Sequence, residues 1–141
     1  MTVAPVAVVL ALALGTFASC GVDEEREARE NREVLAQFPP YPGAAEAWSS
    51  DQPFDRDEEE LVEVWDAVRT TVEYDAPEGT TADDVLRHYR EHAPDGWTAS
   101  HLGFAPILTF CRDGVSVSVD AQATFPEDPT YRVIVVRGDA C

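Results

Sequence analysis

The residues most suggestive of chemistry lie in one short stretch. His88-Tyr89-Arg90-Glu91-His92 places two histidines four positions apart. On a helix both imidazoles project to one side and can reach a single zinc ion, with a glutamate between them to act as general base. The plainer reading is a helix flank that happens to carry two histidines. Pro94 and Gly96 end the helix almost at once. On the helical wheel His92 borders the apolar side formed by Ala82, Val85, Leu86, Tyr89 and Ala93, while His88 lies farther round toward solvent. The plainer reading is adopted, with no metal and no cofactor expected. Ser100 and His101 adjoin on an expected strand, so they point to opposite faces and cannot pair as nucleophile and base. Asp55, Asp57, Glu58, Glu59 and Glu60 are numerous enough to gather Ca²⁺, but they lack the glycine and alternate spacing of a calcium loop and read as a solvated charge run. Lysine is absent, and all ten basic residues are arginine. That removes Schiff-base chemistry and the phosphate-loop lysine.

The five residues 88–92 resemble the H-x-x-E-H motif of the inverted zinc peptidases. The resemblance stops there. That family implies a larger catalytic domain and a further distant ligand, for which 141 residues leave little room.

A second motif says more. Residues 3–15, VAPVAVVLALALG, form an apolar run too short at about 1.5 Å per residue to cross a hydrocarbon core of roughly 30 Å. Its length suits the hydrophobic region of a signal peptide. Ala18-Ser19-Cys20-Gly21 follows. This resembles the lipobox of bacterial lipoproteins, in which small residues precede a cysteine that receives a diacylglycerol. Phe17 stands where that family usually has an aliphatic residue, and the first five residues lack the expected Lys or Arg. The resemblance implies cleavage after Ser19, acylation of Cys20 and display on the outer face of the cell membrane. Three cysteines are present. With Cys20 lipidated, one pair remains, Cys111 and Cys141, in a compartment where disulfides form. Such a bridge closes a loop of about 30 residues, which the chain-entropy model values at roughly 3–4 kcal/mol.

The organisation follows from these motifs. Residues 1–19 read as signal peptide, 20–43 as lipidated cysteine, acidic tether and proline-rich connector, and 44–141 as one head domain. Over 22–37, VDEEREARENREVLAQ, pairs such as Glu25–Arg29 and Arg29–Glu33 lie four apart. They suit a partly helical spacer whose thin apolar stripe forms no core. Phe38-Pro39-Pro40-Tyr41-Pro42-Gly43 stops any helix. Residues 51–60 read as loop. Val68, Thr70, Val72 and Tyr74 alternate with polar neighbours as in a half-buried strand, which extends back through Val64 and Val62. Thr81, three residues before Asp84, caps the helix that follows. Residues 97–104 form a further strand. Asp113-Gly114 is a two-residue hairpin turn; it pairs Phe110 with Val117 and Leu108 with Val119 toward the core, and Cys111 with Ser116 and Thr109 with Ser118 on the opposite side. The consecutive Val133-Ile134-Val135-Val136 predicts a central last strand, over 131–136, covered on both faces. The fold class is α+β, with one helix packed on a small antiparallel sheet of four to five strands.

The formal net charge is −17, and both the tether and the head are acidic. That argues against nucleic acid, since phosphate binding needs clustered cations, and against adsorption of the head to anionic lipid. The expected function is a non-catalytic, membrane-anchored domain that binds an envelope protein or a small ligand. An accessory or inhibitory domain for an exported enzyme is the alternative, and a small hydrolase using His88, Glu91 and His92 ranks third. The stretch Tyr41-Pro42-Gly43-Ala44 and the helix ending Tyr89 to Asp95-Gly96-Trp97 are similar to small lipoprotein heads from high-GC bacteria. That resemblance implies no activity. Trp48 and Phe54, in an acidic stretch, are expected to fold back over the exposed sheet face or to form part of a binding surface, the first being favoured.

Overall fold

In the computed structural model, residues 23–54, 67–101, 105–122 and 128–138 are described. The signal peptide, Cys20, the acidic run 55–60, residues 62–64, the end of the 97–104 strand and Cys141 lie outside these residues. The elements are α1 (Glu24–Leu35), β1 (Ala45–Phe54), β2 (Ala67–Asp75), α2 (Ala82–Glu91), β3 (Thr98–His101), β4 (Ile107–Arg112), β5 (Val115–Asp120) and β6 (Thr130–Arg137). The six strands make one antiparallel sheet in the order β1-β2-β6-β5-β4-β3. The α+β class holds, but one helix on four to five strands is corrected, among the described residues, to two helices on six strands.

Local chemistry explains most of the elements. Val68, Thr70, Val72 and Tyr74 are buried while Arg69 and Asp75 are exposed, the period-2 pattern of a strand with one wet face. The hairpin register is the expected one: Phe110 opposes Val117 and Leu108 opposes Val119 on the core side, with Cys111 opposing Ser116 and Thr109 opposing Ser118 behind. Asp113 and Gly114 both take positive φ, 50° and 73°, as the tight turn requires. At α2 the Thr81 hydroxyl accepts from the Asp84 amide, and the Asp84 carboxylate accepts from the Thr81 amide, closing a reciprocal cap.

Two acidic stretches behave differently from expectation. Residues 51–54, expected in a loop, belong to edge strand β1, whose register slips between Glu46 and Trp48 at a bulge. The supposed spacer is corrected more strongly, because α1 lies on the sheet. Val34 and Phe38 join the cluster containing Val72, Phe110 and Tyr131. Asn31 is fully buried, donating its amide to the Val68 carbonyl (2.9 Å) and accepting from Arg137 Nε (3.0 Å). Arg32 pairs with Asp51 at 2.8 Å, and Asp51 also accepts the Thr70 hydroxyl at 2.7 Å, tying α1 to β1 and β2. The core therefore includes residues N-terminal to position 44.

The last strand, β6, is interior to the sheet as its aliphatic run suggested. Tyr131, Val133 and Val135 are fully buried under the helices, but Ile134 and Val136 on the reverse side are only half-buried. Among the described residues both helices pack on one face, so full cover on both sides is corrected to one. Phe38, 2% exposed, meets the Trp97 ring edge-on at 5.0 Å and the Phe110 ring at 5.3 Å. Phe38→Ala should cost about 3–5 kcal/mol, read from the urea unfolding midpoint. A loss below about 1 kcal/mol would show that the connector is not part of the core.

Candidate functional site

The H-x-x-E-H residues lie at the C-terminal end of α2. His88 lies on α2, and His92 is its C-cap. Their rings stack at 4.4 Å. His88 is the half-buried one and donates from Nε2 to the Pro39 carbonyl (3.0 Å), with its ring edge-on to Tyr41 at 5.6 Å. His92 is exposed and donates from Nδ1 to the His88 carbonyl (2.8 Å). This reverses the helical-wheel expectation, because the connector folds over the side of α2 that carries His88. Glu91 is exposed. Among the described residues no three His, Cys, Asp or Glu side chains form a metal-binding group. Ser100 opposes Thr109 and His101 opposes Leu108 in the register of β3 with β4.

Beside His88 lies a cluster that sequence reading did not single out. Tyr131 is fully buried, with its ring stacked on Tyr74 at 5.2 Å and edge-on to Tyr89 at 5.8 Å. Its hydroxyl accepts from the Tyr41 backbone amide (3.0 Å) and from the Tyr89 hydroxyl (3.3 Å). Burial raises all three phenols above the ordinary tyrosine value, Tyr89 most of all, and neighbouring Tyr131 adds to the rise at Tyr74 and Tyr89.

Three other candidates sit apart from it. Cys111 takes part in a disulfide; Cys20 and Cys141, the other two cysteines, lie outside the described residues. Trp97 is half-buried under the Arg112 guanidinium, whose Cζ lies 4.6 Å from the ring centre. Its indole nitrogen finds no partner among the described residues. An open cleft of about 400 Å³ runs between α1 and the β4–β5 turn, bordered by Arg26, Glu27, Glu30, Asp113 and Arg137. Glu30 pairs with both arginines, at 3.9 Å and 3.6 Å. Glu27 is 5% exposed.

The reverse face of the sheet is the remaining surface. The strand registers place Ser50, Thr71, Ile134, Ser118 and Thr109 on it in the successive strands β1, β2, β6, β5 and β4, with Trp48 two residues before Ser50. Trp48 is 49% exposed, next to Glu73, which pairs with Arg132 at 2.7 Å. Trp48 therefore lies at the edge of this face rather than in a loop. Phe54 ends the same strand. The Thr109 and Ser118 hydroxyls bond one another at 3.0 Å.

No family model, curated protein or solved structure matches the chain. What the reverse sheet face, with its exposed indole, and the clefts beside α1 can bind follows from their own chemistry.

The phenol cluster makes stability fall in alkali. A buried phenol keeps its proton in the folded state at pH values where the unfolded chain has lost it. The unfolded state then binds fewer protons, and stability declines as pH rises through the ordinary tyrosine value of about 10. Tyrosinate absorbance should rise together with loss of the near-ultraviolet circular dichroism signal, and Tyr89→Phe should make the alkaline decline shallower. Titration of every tyrosine with the fold intact would contradict this.

Proposed function

We propose that this chain is an exported lipoprotein, cleaved before Cys20, held by acyl chains on the outer face of the cell membrane, and carrying a non-catalytic binding domain. The observation that carries the reading is the disulfide at Cys111. Structural disulfides persist in oxidising compartments and are rare in the cytosol, which agrees with an export signal at residues 3–19.

Geometry favours Cys141 as the partner. Cys111, Ser116 and Val136 are successive Cα partners across β4, β5 and β6. Two strand spacings of about 4.8 Å separate the first and the last. The Gly138 amide donates to the Gly114 carbonyl at 2.7 Å, so the chain leaves β6 beside the turn next to Cys111. Three further residues, spanning about 11 Å at most, lead to Cys141. With that pair closed, Cys20 is left for lipid.

The binding role rests on the reverse sheet face. The hydroxyls of Ser50, Thr71, Ser118 and Thr109, with half-buried Ile134 among them and the half-exposed indole of Trp48 at the edge, offer hydrogen bonds and apolar contact, suited to an envelope protein or a small ligand.

Cells fed a tagged fatty acid should incorporate it into the protein, and Cys20→Ala should abolish the incorporation while releasing the domain or stalling its processing. A variant that stays tagged would sink the anchor reading.

A further inference from the structure

We infer that the domain stands on the bilayer on the end of the sheet where α1 begins, with the opposite strand ends turned outward. The inference rests on the lipid-anchor reading. α1 starts at Glu24 behind its cap Asp23, three residues after Cys20. Three residues span about 11 Å at most. A lipidated Cys20 therefore holds the start of α1 at headgroup level. Because α1 belongs to the packed domain, through Asn31, Val34 and the Arg32–Asp51 pair, no long spacer intervenes.

The first turns of α1 identify which end of the sheet this is. On one side Glu24 and Glu25 border a cleft with Pro53 and Val68. On the other, Arg26 and Glu27 border a cleft with Gly114 and Gly138. Pro53 is near the end of β1, Val68 near the start of β2, Gly114 immediately before β5 and Gly138 immediately after β6. These are the same ends of four strands that lie side by side, so they mark one edge of the domain. β2 runs from there to Asp75. At about 3.3 Å per residue, its far end lies roughly 23 Å from Val68. The outward end accordingly carries Tyr41 and Gly43 of the connector, the turn at Glu78 and Gly79, and the start of β1 leading to Trp48. The Cys111 disulfide lies at the membrane side.

Adhesion does not produce this pose. Glu24, Glu25, Glu30 and Asp113 lie at the bilayer end against Arg26 and Arg137, and an anionic surface repels such a balance. The short covalent connection imposes the orientation, which must therefore appear on uncharged lipid.

The test uses the full lipidated chain with Glu25→Cys or Glu78→Cys, both exposed positions, each labelled with a fluorophore. The protein is reconstituted into phosphatidylcholine vesicles carrying a nitroxide on the headgroup. The label at position 25 should be quenched several-fold more strongly than the label at 78. Equal quenching, or stronger quenching at 78, in protein that floats with the vesicles overturns the orientation while the anchor stands. Protein that fails to float overturns the anchor reading and the orientation with it.

Discussion

One phenol organises this domain. Tyr131 sits at the start of β6, fully buried, with its ring against Tyr74 of β2 and Tyr89 of α2. Its oxygen accepts both the Tyr89 hydroxyl and the Tyr41 amide. A sheet strand, the second helix and the connector from the first helix therefore meet at one atom. Remove its hydroxyl and the Tyr41 amide and Tyr89 hydroxyl lose their acceptor inside the core, where a missing partner costs about 1–3 kcal/mol. The His88 bond to the Pro39 carbonyl pins the connector a second time, two residues before Tyr41. Of the two histidines that resembled a zinc site, His88 thus clamps the connector, while His92 bonds the His88 carbonyl at the end of α2.

The same arrangement makes α1 part of the domain. A six-stranded sheet with one apolar face needs more cover than a single ten-residue helix supplies. The connector brings α1 back across β2 and β6, where Val34 and Phe38 complete the core. Polar groups fix its position: Asn31 bridges the Val68 carbonyl and Arg137, and Asp51 holds Arg32. Buried amides of this kind are satisfied at both ends or costly, so they select one placement of the helix. That placement puts the start of α1, and hence the route to Cys20, at one end of the sheet.

The elements that were legible in the sequence are those whose signal is local. The Asp113-Gly114 turn set the register of β4 and β5 by its own backbone preference, and the Thr81–Asp84 cap marked the start of α2. The strand at 68–74 was visible through strict alternation. The role of α1 was hidden because half of its buried stripe is polar. Glu27, Asn31, Val34 and Phe38 follow the four-three-four spacing of a helix face, yet two of the four are polar, and the partners of Asn31, the Val68 carbonyl and Arg137, are remote in sequence. β1 was hidden for a related reason. Its core-side positions include Ser49 and Asp51, opposite Val72 and Thr70, and Asp51 earns its place only through Arg32 and Thr70. For the candidate surface, Trp48 was expected to cover the sheet from a loop; it instead sits in edge strand β1 with a half-exposed indole, because its position and its neighbours on the reverse face depend on strand pairing.

The disulfide links fold to location. Cys111 is on the reverse face, two strands from Val136, while Cys20 leads into α1 on the other face. An extracytoplasmic anchor requires that these two cysteines stay apart, one in a bridge and one under lipid. Peptide mapping by mass spectrometry of unreduced protein taken from membranes decides the point. The account predicts a Cys111–Cys141 crosslinked peptide together with a diacylglyceryl-modified Cys20 at the mature N-terminus. A Cys20–Cys111 crosslinked peptide would contradict it.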